Sequence, residues 1–309
     1  MPTPMHTIAL MNQKGGVGKT TTSVNLGAAL AERGRRVLLV DLDPQAHLTI
    51  NYGVDPDEGA TLYDVLREEA GVLAAVRHLE VENLQGDGEV HLLPSSLDLA
   101  GLETELIDAD EKQMRLKQAI GRIGYDYDHV LLDCPPSLGL LTINALAMAQ
   151  HVLVPMQAHF LALQGFAKLL ETTQLVARQI NPKLSVLGVV LTMFDAQTRL
   201  GADVVSELQG FFDAAREQEL PWRDGQLFET KIRRNIKLAE APSFGQPILT
   251  YDPSSNGAAD YRRLAEELEA MLDVADASDD GEDSPRASVF RTEMTGLRAG
   301  SSRREALSA

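Results

Sequence analysis

The sequence predicts an α/β protein with a doubly wound, mostly parallel sheet and helices on both faces. Three observations carry this prediction. Short apolar runs alternate with longer helical patterns along most of the chain. The runs are continuously apolar, as expected of strands that are buried on both faces. The first run leads through a glycine-rich loop into a helical stretch, so the loop lies between a strand and a helix.

Five strands are predicted, at Ile8–Met11, Val37–Val40, Val130–Leu132, Val152–Val154 and Val186–Leu191. Helices are predicted at Lys19–Arg33, around Leu62–Leu66, at Gly139–Ala149 and at Gln164–Ile180. Gly34 would end the first of these helices, and Asn181 with Pro182 would end the last. Sheets of this kind bind ligands beyond the carboxyl ends of their strands, which is where functional residues are expected.

Composition excludes several classes of protein. The 309 residues are 44% hydrophobic and 24% charged, enough to bury a substantial core. A net charge of −17 argues against a protein that coats nucleic acid by bulk charge. The single cysteine, Cys134, excludes an internal disulfide framework. No apolar run approaches the ~18–20 residues that span a bilayer, and no secretory signal is visible. We therefore expect a soluble, cytoplasmic protein.

The charge pattern changes near the end of the chain. Residues Glu266–Asp283 contain nine acidic residues and no Lys or Arg, whereas Ser284–Ala309 contain five arginines and two glutamates. Such biased, weakly apolar sequence predicts a disordered tail at Asp276–Ala309. Residues 1–275 are expected to form the folded domain.

The loop after the first strand has the composition of a phosphate-binding loop, and it reads Gln13-Lys14-Gly15-Gly16-Val17-Gly18-Lys19-Thr20-Thr21. Its glycines let consecutive backbone N–H groups point at phosphate oxygens, and the following helix adds its positive end. Lys19 would reach the β- and γ-phosphates of a nucleotide, and the Thr20 hydroxyl would bind Mg²⁺. We expect nucleotide contacts from Lys14 through Thr21 and the fold of a P-loop NTPase.

Three aspartates follow predicted strands. Asp41 and Asp43 leave the second strand, where they could organise Mg²⁺ and water or simply cap the next helix. Asp133 ends the third strand, in the Walker B arrangement that holds Mg²⁺ directly or through water. Thr20, Asp41 and Asp133 are therefore the candidate metal ligands. The neighbouring Cys134 is expected to be a small buried packing residue.

The loop departs from the ordinary P-loop pattern, because Gln13 stands where a glycine is usual and Lys14 follows it. In this the chain resembles the deviant Walker A ATPases of the ParA/MinD class, whose signature is Lys-Gly-Gly-x-Gly-Lys-Thr. Other segments resemble chromosomal ParA (Soj-type) proteins, and these include Leu92–Ala100, Leu191–Asp195, Ala241–Ile248 and Tyr251–Ala258. The resemblance covers about residues 5–275.

The resemblance implies an ATPase that uses ATP and Mg²⁺ and drives chromosome or plasmid partitioning. Three catalytic residues carry over: Lys19, Lys14, which reaches the partner's nucleotide in an ATP-bound homodimer, and Asp43, which polarises the attacking water. Met193 and Arg234 would frame the nucleotide. The implied partners are nonspecific DNA of the nucleoid and a centromere-bound ParB-type protein. No membrane partner is expected.

The basic residues Arg199, Arg233, Arg234 and Lys237 are the candidate DNA contacts. Three of them lie in Lys231–Lys237, which carries four positive charges on an otherwise acidic chain. Arg199 lies two places after the position at which Soj-type proteins have their arginine. The alternative interpretation of the basic segment is a solvated loop that also frames the adenine.

Two alternative functions remain open at this point. The same ATPase could position a protein cargo, or the chain could be an ATP-dependent synthetase of the same superfamily. A MinD-type role would need a C-terminal amphipathic membrane helix, and residues 301–309 have too little apolar surface for one. The iron protein of nitrogenase needs two cysteines in each subunit for its shared cluster, so the single cysteine of this chain excludes that function. Because the chain begins almost at its first strand, we do not expect the DNA-reading extension of larger plasmid homologues.

Overall fold

One sheet of eight strands forms the centre of the protein. The computed structural model describes residues 5–123 and 126–279. The strands are β1 His6–Leu10, β2 Arg36–Asp41, β3 Arg77–Leu79, β4 Glu89–Leu93, β5 His129–Asp133, β6 His151–Gln157, β7 Ser185–Thr192 and β8 Gln226–Leu227. Their order across the sheet is β3-β4-β2-β5-β1-β6-β7-β8. Only β3 pairs antiparallel among these strands.

Helices connect the strands. Those in the described residues are α1 Lys19–Glu32, α2 His47–Asn51, α3 Leu62–Leu66, α4 Val72–Ala75, α5 Leu102–Glu105, α6 Arg115–Ile120, α7 Leu140–Met148, α8 Phe160–Gln179, α9 Arg199–Ala215, α10 Ile236–Glu240, α11 Ile248–Tyr251 and α12 Asn256–Asp279. Short 3₁₀ helices lie at Leu97–Ala100, Lys112–Met114 and Ala241–Phe244. None of the helices described here is long and apolar enough to cross a membrane.

The predicted doubly wound fold is confirmed, and each predicted strand coincides with an observed one apart from Met11, which lies just beyond β1. β1, β2 and β5 run parallel in the centre of the sheet, with Asp41 and Leu10 both in register with Asp133. The carboxyl ends of three central strands therefore meet at one level, where the glycine-rich loop also begins.

The sequence did not predict β3, β4 or β8, nor the long helices α9 and α12. β4 contains Glu89 and the half-buried His91, so it is not continuously apolar. β8 has only two residues. Both strands lie away from the centre of the sheet, where burial on both faces is not required.

The pairing of β7 with β8 depends on Gly188. This residue has a φ of +146°, and a Cβ built on it would overlap the backbone oxygen of Gln226. The chain after β8 continues along β7, because Phe228 N–H donates to Val189 O at 2.9 Å and Ile232 N–H to Leu191 O at 2.8 Å. This contact brings the basic segment Lys231–Lys237 toward the end of β7.

Three histidines lie together at the amino ends of β1, β5 and β6. The ring centroid of His6 is 5.7 Å from that of His129 and 6.1 Å from that of His151. The Nδ1 atom of His151 is 2.8 Å from Ser185 Oγ. Burial, assisted by His6, lowers the pKa of His151 from 6.5 to about 4. This end of the sheet therefore holds a neutral imidazole.

The last helix extends beyond the predicted domain boundary. α12 continues to Asp279, four residues past the predicted boundary at residue 275. The sequence offers a reason, because no Gly or Pro stands between Ala258 and Asp280 to stop the helix. The rest of the predicted tail, residues 280–309, lies outside the described residues. Contacts divide the chain into units Met1–Leu268 and Glu269–Ala309, and the first contains the whole sheet.

Candidate functional site

The glycine-rich loop curls between β1 and α1. Gly16 and Gly18 have φ values of +71° and +87°, the left-handed conformation that other residues rarely adopt. Two carbonyl groups of the loop are held from the neighbouring strands. Thr192 Oγ1 donates to Val17 O at 2.7 Å, and Gln157 Nε2 donates to Gly16 O at 3.0 Å. Left-handed turns of this kind gather N–H groups into a concave anion site, so the loop fits phosphate.

The two lysines of the loop have different environments. Lys19 is buried, and its Nζ lies 3.5 Å from the carbonyl oxygen of Lys14. Burial lowers the pKa of the Lys19 ammonium, and the nearby Asp133 opposes this shift. Lys14 itself is exposed. The Lys19 side chain thus lies inside its own loop, whereas the Lys14 side chain is accessible to another molecule.

Asp133 receives two hydroxyl groups from α1. Thr20 Oγ1 donates to Asp133 Oδ2 at 2.8 Å, and Ser23 Oγ donates to Oδ1 at 2.9 Å. Burial raises the pKa of this carboxyl to about 6. The structure therefore brings together Thr20 and Asp133, two of the three candidate metal ligands. Ser23 was missed, although it lies three residues after Thr20 and hence on the same face of the helix.

Asp41 is fully buried and is bonded to the loop that follows it. Its Oδ1 accepts the N–H of Asp43 at 3.1 Å, and its Oδ2 accepts the N–H and the hydroxyl of Thr49 at 2.9 and 2.7 Å. Burial is the main cause that raises the pKa of Asp41 to about 8, and the charge of Asp133 adds to it. The half-buried Asp43 presents its carboxylate beside this loop, where Oδ1 accepts Gln45 N–H at 3.0 Å.

These donors fit magnesium. A hydroxyl and carboxylate oxygens are the ligands that Mg²⁺ prefers, and it is usually held by one or two protein groups together with phosphate oxygens and water. Within residues 5–123 and 126–279, no three His, Cys, Asp or Glu side chains form a metal cage of their own. The site is therefore suited to a metal that arrives with a nucleotide.

Of the predicted nucleotide-framing residues, Met193 directly follows β7, and Arg234 lies seven residues after the end of β8. Met193 has a φ of +48° and is 46% exposed, and its Sδ lies 2.9 Å from Gln157 Nε2. Arg234 is exposed. Phe194 pairs with Arg233 in an isolated parallel bridge. Met193 and the basic segment are thus neighbours, although the segment begins 38 positions later in the sequence.

The four candidate DNA contacts differ in their environment. Arg233 binds the buried carboxylate of Asp260, with Nη2 2.7 Å from Oδ1 and Nε 3.0 Å from Oδ2. Lys237 Nζ lies 2.9 Å from Glu240 Oε2. Arg199 is exposed at the start of α9, and Arg234 is exposed in the basic segment. Two of the four charges are therefore paired within the protein.

Comparison with known proteins agrees with this geometry. Residues 5–186 match the family described as "AAA domain". The sporulation initiation inhibitor protein Soj of Bacillus subtilis is 46% identical over 85% of this chain and 98% of its own. The chromosome-partitioning ATPase Soj of Thermus thermophilus is 46% identical over 87% and 97%. The chain belongs to the ParA/Soj family of chromosome-partitioning ATPases. This ParA/Soj protein is thus an ATPase, as the sequence predicts.

A solved structure shares the fold of this ParA/Soj protein. Cobyrinic acid a,c-diamide synthase of Mycobacterium smegmatis superposes with a TM-score of 0.70 at 36% identity, over 87% of this chain and 96% of that one. It was crystallised with magnesium and either ADP or an ATP analogue. ATP and Mg²⁺ are likewise the ligands that the loop and its carboxylates fit.

Proposed function

We propose that this ParA/Soj protein is an ATP-driven switch in chromosome or plasmid partitioning. With ATP and Mg²⁺ it closes into a homodimer, binds DNA without sequence preference, and releases the DNA after hydrolysis. A ParB-type centromere-binding protein stimulates turnover. The observation that carries this proposal is the pair of lysines, one buried in its own loop and one exposed beside it.

The site residues take separate roles in this proposal. Lys19 binds the β- and γ-phosphates, while Thr20 and Asp133 hold the metal. Bound Mg²⁺ supplies positive charge against the phosphate oxygens. Asp43 orients the attacking water and polarises it by accepting a hydrogen bond from its O–H. Lys14 of the partner subunit adds a cation where charge develops, as an arginine finger does.

DNA binding is assigned to the dimer because one copy is acidic. The net charge is −17, and the ion pairs of Arg233 and Lys237 leave Arg234 and Arg199 as the stronger candidates for phosphate contacts. Two copies on one assembly make the second contact effectively intramolecular. Contacts to phosphate carry no sequence information, so binding is nonspecific.

Fluorescence anisotropy with labelled duplex DNA tests this proposal. Binding is expected with ATP but not with ADP or without nucleotide. The affinity should also fall steeply between 50 and 200 mM salt, because a protein that makes six to ten phosphate contacts loses about 10³-fold or more in affinity over that range. Arg234→Ala should weaken binding to every sequence alike, whereas Arg178→Ala, which removes an exposed arginine from α8, should not. Equal binding in all three nucleotide states would contradict the proposal.

One observation favours a second candidate, an ATP-dependent synthetase, because the M. smegmatis structure bears such a name at 36% identity. The Soj relatives are more similar, at 46%. ATP turnover separates the two candidates. A partitioning ATPase is stimulated by DNA with a ParB-type protein, whereas a synthetase of that kind is stimulated by its carboxylic acid substrate with an amide nitrogen donor.

A further inference from the structure

The segment that leaves β4 contacts the loop that carries Asp43. Ser95 is fully buried, its Oγ donates to Asp43 O at 2.7 Å, and its N–H donates to Thr49 Oγ1 at 3.0 Å. β4 runs parallel beside β2, with Leu93 in register with Val40, so both chains leave the sheet side by side. Ser95 therefore meets the loop because of the sheet topology.

These contacts close a ring of four residues. Ser95 N–H donates to Thr49 Oγ1, Thr49 Oγ1 donates to Asp41 Oδ2, Asp41 Oδ1 accepts Asp43 N–H, and Asp43 O accepts Ser95 Oγ. Asp41, Thr49 and Ser95 are all 0% exposed. The ring uses only the backbone of Asp43, which leaves the carboxylate available for the reaction.

We propose that Ser95 and Thr49 are positioning residues for ATP hydrolysis. Ser95 holds the carbonyl oxygen of Asp43 directly, and Thr49 holds its N–H through Asp41, so that its carboxylate keeps one orientation toward the attacking water. This inference rests on the proposed role of Asp43. A fixed acceptor lowers the barrier because less reorganisation is needed when the water reacts.

Ser95 is itself held firmly. The preceding carbonyl, Pro94 O, accepts Leu62 N–H at 2.8 Å, which fixes the β4 exit to the start of α3. The neighbouring Ser96 is also buried, but its hydroxyl contacts Thr61 Oγ1 at 3.4 Å and not the Asp43 loop. Ser96 is therefore a matched control, with the same residue type and similar burial outside the ring.

Steady-state ATPase kinetics test the positioning role. Ser95→Ala and Thr49→Val are each expected to lower kcat about five- to tenfold, the effect of losing one or two neutral hydrogen bonds. The KM for ATP should stay within about twofold, because neither residue belongs to the phosphate loop. Thr49→Ser, which keeps the hydroxyl, and Ser96→Ala should retain kcat. The double variant should lose less than the product of the two single effects, because both act through one ring.

Hydrogen exchange of the nucleotide-free protein gives a readout that does not depend on activity. The amides of Asp43 and Thr49 should exchange faster in Ser95→Ala than in wild type or Ser96→Ala. Wild-type exchange and wild-type kcat in Ser95→Ala would overturn the inference, as would a rise in KM equal to the loss in kcat. If Asp43→Ala itself keeps full kcat, the proposed role of Asp43 fails. If Asp43→Ala is slow but Ser95→Ala is not, only the positioning role fails.

Discussion

Lys14 and Lys19 are five residues apart in one loop, but they do different things. Lys19 is buried and burial lowers its pKa, so an anion bound in the loop would stabilise the charged form of its ammonium. Lys14 is exposed to solvent. In the proposed mechanism, the buried lysine therefore binds the nucleotide, and the exposed lysine contacts the partner subunit.

Lys19→Ala should abolish measurable ATP binding, a loss of at least about 100-fold in Kd, because the phosphates lose a charged hydrogen bond in a buried site. Removing a buried ammonium should not unfold the protein, so circular dichroism should be unchanged. Lys168→Ala, an exposed lysine on α8, is the control for binding. ATP affinity like that of wild type would show that the phosphates lie elsewhere.

Asp43→Ala should bind ATP and dimerise but hydrolyse ATP slowly, whereas Lys14→Ala should bind ATP and remain monomeric. Water activation and the charge across the interface are separate functions, so the two variants should separate them. Light scattering with ATP measures the dimer, and phosphate release measures turnover. A monomeric Asp43→Ala, or a dimeric Lys14→Ala, would contradict this division of roles.

Among individual residues, the sequence best predicted those functional residues that are adjacent in the chain. Gly16, Gly18, Lys19 and Thr20 follow one another in the chain, so their spacing alone predicted the loop. Ser95 could not be found in this way, because it lies 52 residues from Asp43 and meets it only through the pairing of β4 with β2. The pairing of Arg233 with Asp260 was missed for the same reason.

At the scale of elements, the amino ends of the strands lie opposite the phosphate loop and carry the His6, His129 and His151 cluster. His151 has a pKa of about 4 when folded and 6.5 when unfolded, so the unfolded chain binds more protons between these values. The free energy of unfolding should therefore fall as pH drops from about 6.5 to about 4, by about 1–3 kcal/mol.

Urea unfolding at several pH values measures this effect. His151→Gln should flatten the decline over that range, because the residue that must be protonated is gone. His47→Gln, which replaces an exposed histidine, should leave the decline as it is. A decline that is equally steep in His151→Gln would mean that other groups cause the acid sensitivity.

The elements that sequence predicted are those with a strong, uniform pattern. The apolar runs Ile8–Leu10 in β1, Val37–Val40 in β2 and Val130–Leu132 in β5 are continuous and buried, because both faces of the sheet are covered there. β3 and β8 have three and two residues, too few to show a period, and they form only because longer strands offer an edge. Burial of Val204, Leu208 and Phe212 on one side of α9 is a helical spacing that was available in the sequence but was not used.

For the whole molecule, ligand binding is linked to folding. ATP with Mg²⁺ at about 100 times its Kd should raise the free energy of unfolding by about 2.7 kcal/mol, because the nucleotide binds only the folded chain. Chelation of Mg²⁺ should reduce the rise in Tm. Thr20→Val should retain the part of the shift that does not depend on metal, since Thr20 is a proposed metal ligand and the loop amides remain. An identical shift with and without Mg²⁺ in the wild type would place the metal elsewhere.

The close approach of the β8 backbone to Gly188 has an effect beyond the sheet itself. In a saturation library selected for the proposed DNA binding, this site should tolerate no other residue, although it lies in the sheet and not in the phosphate loop. Any side chain would separate β8 from β7, because its Cβ would overlap the backbone oxygen of Gln226. The position of the segment from Phe228 to Arg234 depends on that strand pairing. A folded variant at this position should therefore lose the proposed DNA binding while its ATP binding stays intact. The absence of a side chain at Gly188 thus determines where the basic segment Lys231–Lys237 lies on the protein.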